Sequence, residues 1–441
     1  MATTFLSRTN TTGTSTQKGT ISAWIKGSEE PSGNNQTILA SWGDANNHGA
    51  LLWNGSDKID AFDYQSGYAS QLQTNAVLRD SSAWYHIVYS WDTTLATADD
   101  RQKIYINGVE QTYSTRTNYS QNAATSWNAN SYSKRVGALN SSSYFSGLIS
   151  YTAFVDGLQY DATSFGETNA ATGIWKINTS PSVTYGTNGF FLKMDTSSPG
   201  SDTSGNNNTF TASGTPTLAQ DNASNNLATM NPLDNYYQGS IFSNGNNTFL
   251  TTDVSTTYNT SSIMVNTGKW YVECKVVSGS ATTNIGIVGE MADATTGEIK
   301  AKEFGYAYIS NGEFGNNGSA SSYGSSYANG DIIGIALDCT NNKLYFSKNG
   351  TFQDSGNPSA GSGGKTITAV ASTTLGLYTF AACDTSNGDV RTFSFNFGNG
   401  FFGTTAIASS NADAAGHGLF EYAVPTGYYT LNTKNLNTYG G

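Results

Sequence analysis

The sequence predicts an all-β protein made of two β-sandwich domains in tandem. Aromatic residues make up 12% of the 441 residues, with 26 Tyr, 21 Phe and 8 Trp, although hydrophobic residues as a whole reach only 37%. Charged residues stand at 12%, about half the usual share, and Gly, Asn, Ser and Thr replace them. Helical bundles and coiled coils need Ala, Leu, Glu and Lys at helical spacing, which this composition cannot supply. Ten Asn-Gly pairs punctuate the chain, and that dipeptide is the strongest short signal for a two-residue hairpin turn. The length allows two or three domains, each with its own core.

Strands of a first unit are expected at TISAWIK (20–26), SAWYHIVYSW (82–91), KIYINGV (103–109), SGLISYTAFVD (146–156) and NGFFLKMD (188–195). In KIYINGVE, Ile104 and Ile106 alternate with Lys103 and Tyr105 before Asn107-Gly108 bends the chain, so this is expected to be a scaffold hairpin. In SAWYHIVYSW, Trp84, His86 and Val88 share one face and Tyr85, Ile87 and Tyr89 the other. A lone histidine in such a strand is expected as a hydrogen-bonded core residue. Residues 1–196 are assigned to this first sandwich. The stretch 197–238, which holds three of the seven prolines and much Gly, Ser and Asn, reads as a final loop or edge strand followed by a linker.

A second unit, residues 239–400, takes its strands from GKWYVECKVV (268–277), TNIGIVG (283–289), EFGYAYI (303–309), GDIIGIALD (330–338), KLYFSKNG (343–350), TLGLYTFAAC (374–383) and VRTFSFNFG (390–398). Ile333, Ile335 and Leu337 share one face, as a half-buried strand requires. Residues 401–441 are expected to pack on this unit as a C-terminal extension. No fixed-period repeat is present: KIYINGVE and KLYFSKNGTF are alike, but the elements around them differ in order.

The formal net charge of −11 repels a phosphate backbone or an anionic bilayer, which argues against nucleic-acid binding and membrane insertion. MATTFLSRTN lacks an apolar signal-peptide core, and no stretch is long enough to span a membrane. Three cysteines, Cys274, Cys339 and Cys383, make no even disulfide framework. Synthesis in a reducing cytoplasm is expected.

AWYHIVYSWDTT followed by RQKIYINGVE, and later SYFSGLISYTAFVDGLQYD, resembles the core of laminin-G-like, concanavalin-A-like jelly-roll domains. GKWYVECKV, FGYAYISNG and YANGDIIGIALDCTNNKLYFSKNG follow the motif order of SPRY domains, and this likeness is the sharper of the two. EYAVPTGYYTLNTKNL (421–436), and SFGETNAATGIWK (164–176) followed by YGTNGFFL, resemble segments of marine and freshwater tailed-bacteriophage proteins that pair these two domains as virion or tail-fibre components. The resemblance implies a protein on the virion surface, made in the host cytoplasm and present in multiple copies or as a homo-oligomer. Its implied partners are other virion proteins and a host-surface glycan or protein.

Hydrolases of the jelly-roll class usually carry a Glu-x-Asp-x-x-Glu strand, because glycoside hydrolysis needs two facing carboxyls. This chain has no such run, and Glu110, Glu167, Glu273 and Glu290 are scattered, so no enzymatic activity is expected. His48 and His417 are read as lying in Gly-rich loops without ligand spacing, which argues against zinc. Cys339, at a hairpin turn, is expected to be a partly exposed, unreactive thiol. No cofactor is expected apart from calcium, which laminin-G-like domains often hold at the rim. Its candidate ligands are Asp92, Asp99 and Asp100 of WDTTLATADD and Asp44 of SWGDANN. Sugar rings stack on aromatic faces, and the ligand candidates are Trp42, Trp53, Tyr64, Tyr68, Trp127, Phe314, Tyr323 and Tyr327, read as lying in or beside loops. Trp24, Trp84 and Trp270 are expected in cores. The leading expectation is a tail-fibre or adhesin component that binds host-surface glycan or protein through loops. The alternative is a head-decoration or fibre-like structural protein, favoured by a jelly roll beginning near Met1 with no shaft before it. A glycan-processing enzyme is the weaker alternative.

Overall fold

The computed structural model describes residues 3–28, 31, 33–170, 172–194, 198–235, 237, 239–252, 258–279, 282–292, 297–385 and 390–440. Apart from a short crossover at 219–224, the chain divides into two compact units, residues up to 218 and residues from 225 onward. Nearly all the regular structure is β, with one α-helix among the described residues, Thr433–Tyr439.

The first unit packs an eight-stranded antiparallel sheet against a six-stranded one. The six-stranded sheet runs, in spatial order, Phe190–Leu192, Gly147–Asp156, Lys18–Gly27, Tyr85–Asp92, Gln102–Ile106 and Val109–Glu110. Ile21, Ile25, Ile87, Tyr89, Ile104 and Ile106 face inward and meet Leu39, Leu51, Ala61 and Leu72 of the other sheet. The outward face of the six-stranded sheet is covered as well. Trp24, Val88, Ala153 and Val155 form a second apolar layer with Ala162 and Phe165, against which Tyr160, Trp175 and Ile177 pack. Burial on both faces explains why SAWYHIVYSW is nearly continuously apolar.

KIYINGVE is the hairpin its pattern predicts. Asn107 (φ 48°) and Gly108 (φ 83°) both adopt the left-handed conformation of a tight two-residue turn. A side chain at Gly108 would meet the Trp175 ring, 2.5 Å from an added Cβ.

The eight-stranded sheet runs Tyr113–Thr117, Tyr68–Val77, Lys58–Gln65, Asn47–Trp53, Gln36–Asp44, Ser133–Val136, Phe5–Thr9 and Thr211–Ser213. Four of these strands, spanning 36–77, form a meander that contains positions read from sequence as loop-like. Their alternation is weak because one inward position is an acid. In Lys58–Gln65 the inward residues are Ile59, Ala61 and Asp63. Fully buried Asp63 accepts from the Tyr119 hydroxyl (3.1 Å) and the Ser126 N–H (2.9 Å), and burial pushes its carboxyl upward. Within the stretch 197–238, Thr211–Ser213 pairs with Phe5–Ser7 in the first unit, while Ala228 and Met230 are buried in the second unit's core.

The second unit is also two-layered. Its larger, nine-stranded sheet has Lys269–Ser278 at its centre, flanked by Ile332–Asp338 and Thr392–Asn396. The smaller sheet is centred on Thr283–Val288, between Thr379–Asp384 and Gly305–Ile309. Trp270, Val272, Ile285, Ile333, Ile335, Leu337 and Phe395 meet between them. Cys274, Cys339 and Cys383 are all free and buried. Cys339 thus departs from the expected partial exposure: it packs beneath the core aromatics, and burial drives its thiol up to about 12.

Tyr429–Thr430 of the C-terminal segment adds a parallel strand beside Trp270 and Tyr271. Glu273 ties the same region down. Its buried carboxylate accepts from the backbone N–H of Glu421 (3.0 Å) and Tyr422 (2.9 Å) and from the Asn396 amide (3.1 Å). Burial outweighs these bonds and raises Glu273 to about 7. The folded state therefore binds the Glu273 proton more tightly than the unfolded chain does. This contribution is complete below the ordinary glutamate value and is lost as pH rises through about 7. Thermal unfolding against pH should show the second unit losing stability across that window, with Glu273→Gln removing the slope; equal slopes in both proteins would refute the assignment.

Candidate functional site

Inward positions on the eight-stranded sheet leave their neighbours pointing outward. On Gln36–Asp44 these are Ala40 and Trp42; on Asn47–Trp53, His48, Ala50 and Leu52; on Lys58–Gln65, Asp60, Phe62 and Tyr64. Cross-strand pairing sets Trp42 beside His48, His48 beside Tyr64, and Tyr64 beside Tyr68. The ring centroids are 5.0, 5.5 and 5.4 Å apart along this row. Phe62 stands alongside, edge-on to His48 at 5.7 Å and to Tyr68 at 5.6 Å, and packs on buried Ala40, Ala50 and Leu52. Tyr68 is 54% exposed, and Trp42, His48, Phe62 and Tyr64 are half-buried.

The row is edged by polar groups. Asp60 accepts from the amides of Gln71 (3.0 Å) and Gln73 (3.4 Å). At the other end, the Asn46 backbone N–H and the Asn47 amide hold the Asp44 carboxyl below its ordinary value. His48 Nδ1 lies 3.1 Å from the Asp44 carbonyl oxygen. A carbonyl can only accept, so Nδ1 carries the proton. Burial lowers the His48 pKa, which keeps the ring neutral near pH 7.

Three sequence candidates, Trp42, Tyr64 and Tyr68, meet in this row, on strands rather than loops. The others do not join it. Trp53 and Trp127 are fully buried in the first core, Trp127 lying over Gly49 and donating to the Tyr119 hydroxyl (3.2 Å). Tyr323 and Tyr327 are buried in the second core. The Tyr323 hydroxyl accepts from Phe346 N–H (3.0 Å), and the Tyr327 hydroxyl donates to the Tyr308 carbonyl (2.9 Å). Tyr323, Tyr327 and Trp127 do lie outside strands, but their rings turn inward and are not available to a ligand, and Trp53 lies on a strand with its indole buried. The hydroxyls of Tyr323 and Tyr327 and the Trp127 indole N–H are bonded inside the sandwiches. Phe314 is half-buried against that core, with Lys365 Nζ 5.6 Å from its ring centroid. His48, read from sequence as a loop histidine, stands instead on the strand Asn47–Trp53, and neither it nor Phe62 was among the ligand candidates. Their signal was the shared parity of His48, Ala50 and Leu52 with Phe62 and Tyr64, hidden by the adjacent Gly49.

The four calcium candidates are not gathered. Asp44 sits in its own turn, Asp92 pairs with Lys18 (2.9 Å), Asp99 with Arg116 (3.0 Å) and Asp100 with Lys103 (3.4 Å). Among the described residues, no three His, Cys, Asp or Glu side chains are placed to hold an ion.

His86 raises the question of nucleophilic chemistry, because the Ser22 hydroxyl lies 2.8 Å from its Nε2. The Trp175 indole N–H, which can only donate, points at His86 Nδ1 from 3.0 Å. Nδ1 is therefore the acceptor, and the proton of the neutral ring sits on Nε2, directed at Ser22. A base needs its lone pair there, so this dyad cannot activate the serine. Burial drives His86 down to about 3, and Trp24 stacks on it at 4.7 Å. It is a core residue, as its strand pattern predicts.

The outward row and the inward aromatics should separate in stability measurements. Trp53→Ala should cost about 3–5 kcal/mol in chemical denaturation of the first unit. Tyr68→Ala, at a half-exposed ring, should cost less than about 1 kcal/mol. Similar losses for the two would place Tyr68 in the core.

Residues 3–160 match the family model described as the concanavalin A-like lectin/glucanases superfamily, and residues 269–396 match the SPRY domain model. These families suggest carbohydrate or protein binding. No curated protein matches the chain in sequence. Among solved structures, domain 4 of AbnA, a GH43 extracellular arabinanase from Geobacillus stearothermophilus in complex with arabinotriose, is 21% identical over 33% of this chain, with a TM-score of 0.27. The matched region spans 63% of that domain. The SPRY domain of human HERC1 is 16% identical over 38% of this chain and 96% of its own length, with a TM-score of 0.29. The chain thus carries a concanavalin-A-like domain followed by a SPRY domain.

Proposed function

We propose that this chain is a non-catalytic recognition protein whose concanavalin-A-like domain binds a surface glycan or protein over the row Trp42–His48–Tyr64–Tyr68. The observation that carries this reading is a contiguous aromatic row left half-exposed on a sheet face, with Tyr68 standing 54% exposed. Apolar ring surface edged by carboxylates and amides suits a ligand with both C–H faces and hydroxyls. The carboxyls elsewhere support a role without hydrolysis. Glu167 pairs with Lys176 (2.9 Å), Glu110 with Lys103 (3.5 Å), and Glu273 is consumed in holding the C-terminal segment.

The segments 164–176 and 421–436 support placing the protein on a tailed-phage virion, as a tail-fibre or adhesin component facing the host. Many copies per particle would convert weak single contacts into avid attachment. Exposed Leu233 (67%) and Ile241 (64%) of the second unit favour a second reading, in which the protein is a head-decoration or fibre-like component contacting neighbouring virion proteins.

Host-cell retention and a glycan array with the full chain test the first reading. Binding is expected, with Tyr68→Ala and Trp42→Ala each reducing it at least tenfold while the fold is kept. Unchanged binding in both variants would overturn the site, and release of reducing sugar from host envelope would overturn the non-catalytic assignment. Cryo-EM density on the capsid lattice instead of the tail would establish the decoration role.

A further inference from the structure

Within the recognition row, His48 supplies a ring acceptor without a partner, beside three donor-bearing groups, the Trp42 indole N–H and the Tyr64 and Tyr68 hydroxyls, that make no hydrogen bond among the described residues either. His48 Nδ1–H is committed to the Asp44 carbonyl at 3.1 Å, which fixes the neutral tautomer with its lone pair on Nε2. That nitrogen has no hydrogen-bond partner among the described residues, and it is absent from the buried atoms that lack one, so it reaches solvent. The groups around the ring do not compete for it. Trp42 at 5.0 Å and Tyr64 at 5.5 Å flank it as rings, and Phe62 meets it edge-on. The nearby carboxylates of Asp44 and Asp63 can only accept.

We infer that His48 Nε2 is the specificity-setting acceptor of the row, taking a hydrogen bond from a hydroxyl of a neutral oligosaccharide laid across Trp42, Tyr64 and Tyr68. This inference rests on the recognition reading above and adds the ligand's chemical class. At its own position the Nε2 lone pair disfavours carboxylate or sulfate oxygens, because two lone pairs would face each other, while the Trp42 N–H and the tyrosine hydroxyls beside it can serve the other oxygens of the same sugar. Asp44 and Asp60 at the edges of the row reinforce that bias. A hydroxyl donor satisfies Nε2 while the sugar's C–H face covers the rings. A purely apolar partner would bury Nε2 unsatisfied.

The experiment titrates the full chain with cellotriose, xylotriose, maltotriose and trigalacturonate, with 15N labelling restricted to histidine. The three histidines, His48, His86 and His417, give separate ring signals. The free protein should show His48 protonated at Nδ1 and His86 at Nε2, the opposite tautomers. At least one neutral trisaccharide should bind and move the His48 Nε2 signal, with His86 unmoved. His48→Phe keeps the aromatic row but removes the acceptor and should weaken binding roughly five- to tenfold, the worth of one neutral hydrogen bond. His48→Gln restores an amide oxygen and should recover most of that loss.

If Tyr68→Ala abolishes binding while His48→Phe binds as tightly as the native chain, the inference fails and the recognition reading stands. If neither variant changes the affinity, both fail. Equal or tighter binding of trigalacturonate, or binding of host protein alone through this row, overturns the neutral-glycan assignment.

Discussion

The first unit depends on the way its six-stranded sheet is covered on both faces. An antiparallel sheet needs only one buried face, yet here residues 160–191 fold over the second. Trp175 sits at the centre of that cover. Its indole N–H reaches His86, its ring blocks any side chain at Gly108, and Ile177 and Phe165 complete the layer. With that face closed, the outward aromatics of the unit gather on the eight-stranded sheet, where Trp42, His48, Phe62, Tyr64 and Tyr68 remain half-exposed. The hairpin of KIYINGVE is one of the parts that the Trp175 cover requires, since only a glycine fits beneath the indole.

The two histidines of this unit show how hydrogen-bond partners assign chemistry. At His86 an obligatory donor, the Trp175 indole, takes the Nδ1 lone pair. At His48 an obligatory acceptor, the Asp44 carbonyl, takes the Nδ1 proton. Neutral rings of the same residue type therefore present opposite faces. One donates to a buried serine and is sealed in the core; the other offers a lone pair to solvent. Neither arrangement makes a general base for Ser22, and the second makes a binding group.

In the second unit the corresponding anchor is Glu273. A buried carboxylate that accepts two successive backbone N–H groups, Glu421 and Tyr422, fastens the chain after the sandwich to its central strand. Parallel pairing of Tyr429–Thr430 and burial of Leu431 extend that attachment. The sequence motif around GKWYVE resembles a family pattern in which Glu273 is structural, and its partners here give the physical content of that role.

Strong patterns were legible in the sequence. SAWYHIVYSW, KIYINGVE and GDIIGIALD carry their period and turn chemistry within a few residues, so their strands and inward faces could be named from composition and alternation. The His86 environment followed from its apolar neighbours. The meander over 36–77 was not legible, because Asp63 interrupts an inward series and Gly49 leaves a gap that Trp127 fills from far along the chain. Which aromatics face water was decided only by tertiary structure. Trp53 and Trp42 lie on neighbouring strands of the same sheet but on opposite faces: cross-strand register sets Trp42 beside His48, and Trp53, an odd number of residues further along that strand, points the other way. By itself the sequence determined two all-β sandwiches and their turn points, because propensity and period are local properties. The aromatic row, the His86 tautomer and the covering of one sheet face were decided by contacts between residues distant in the chain, which no local pattern encodes.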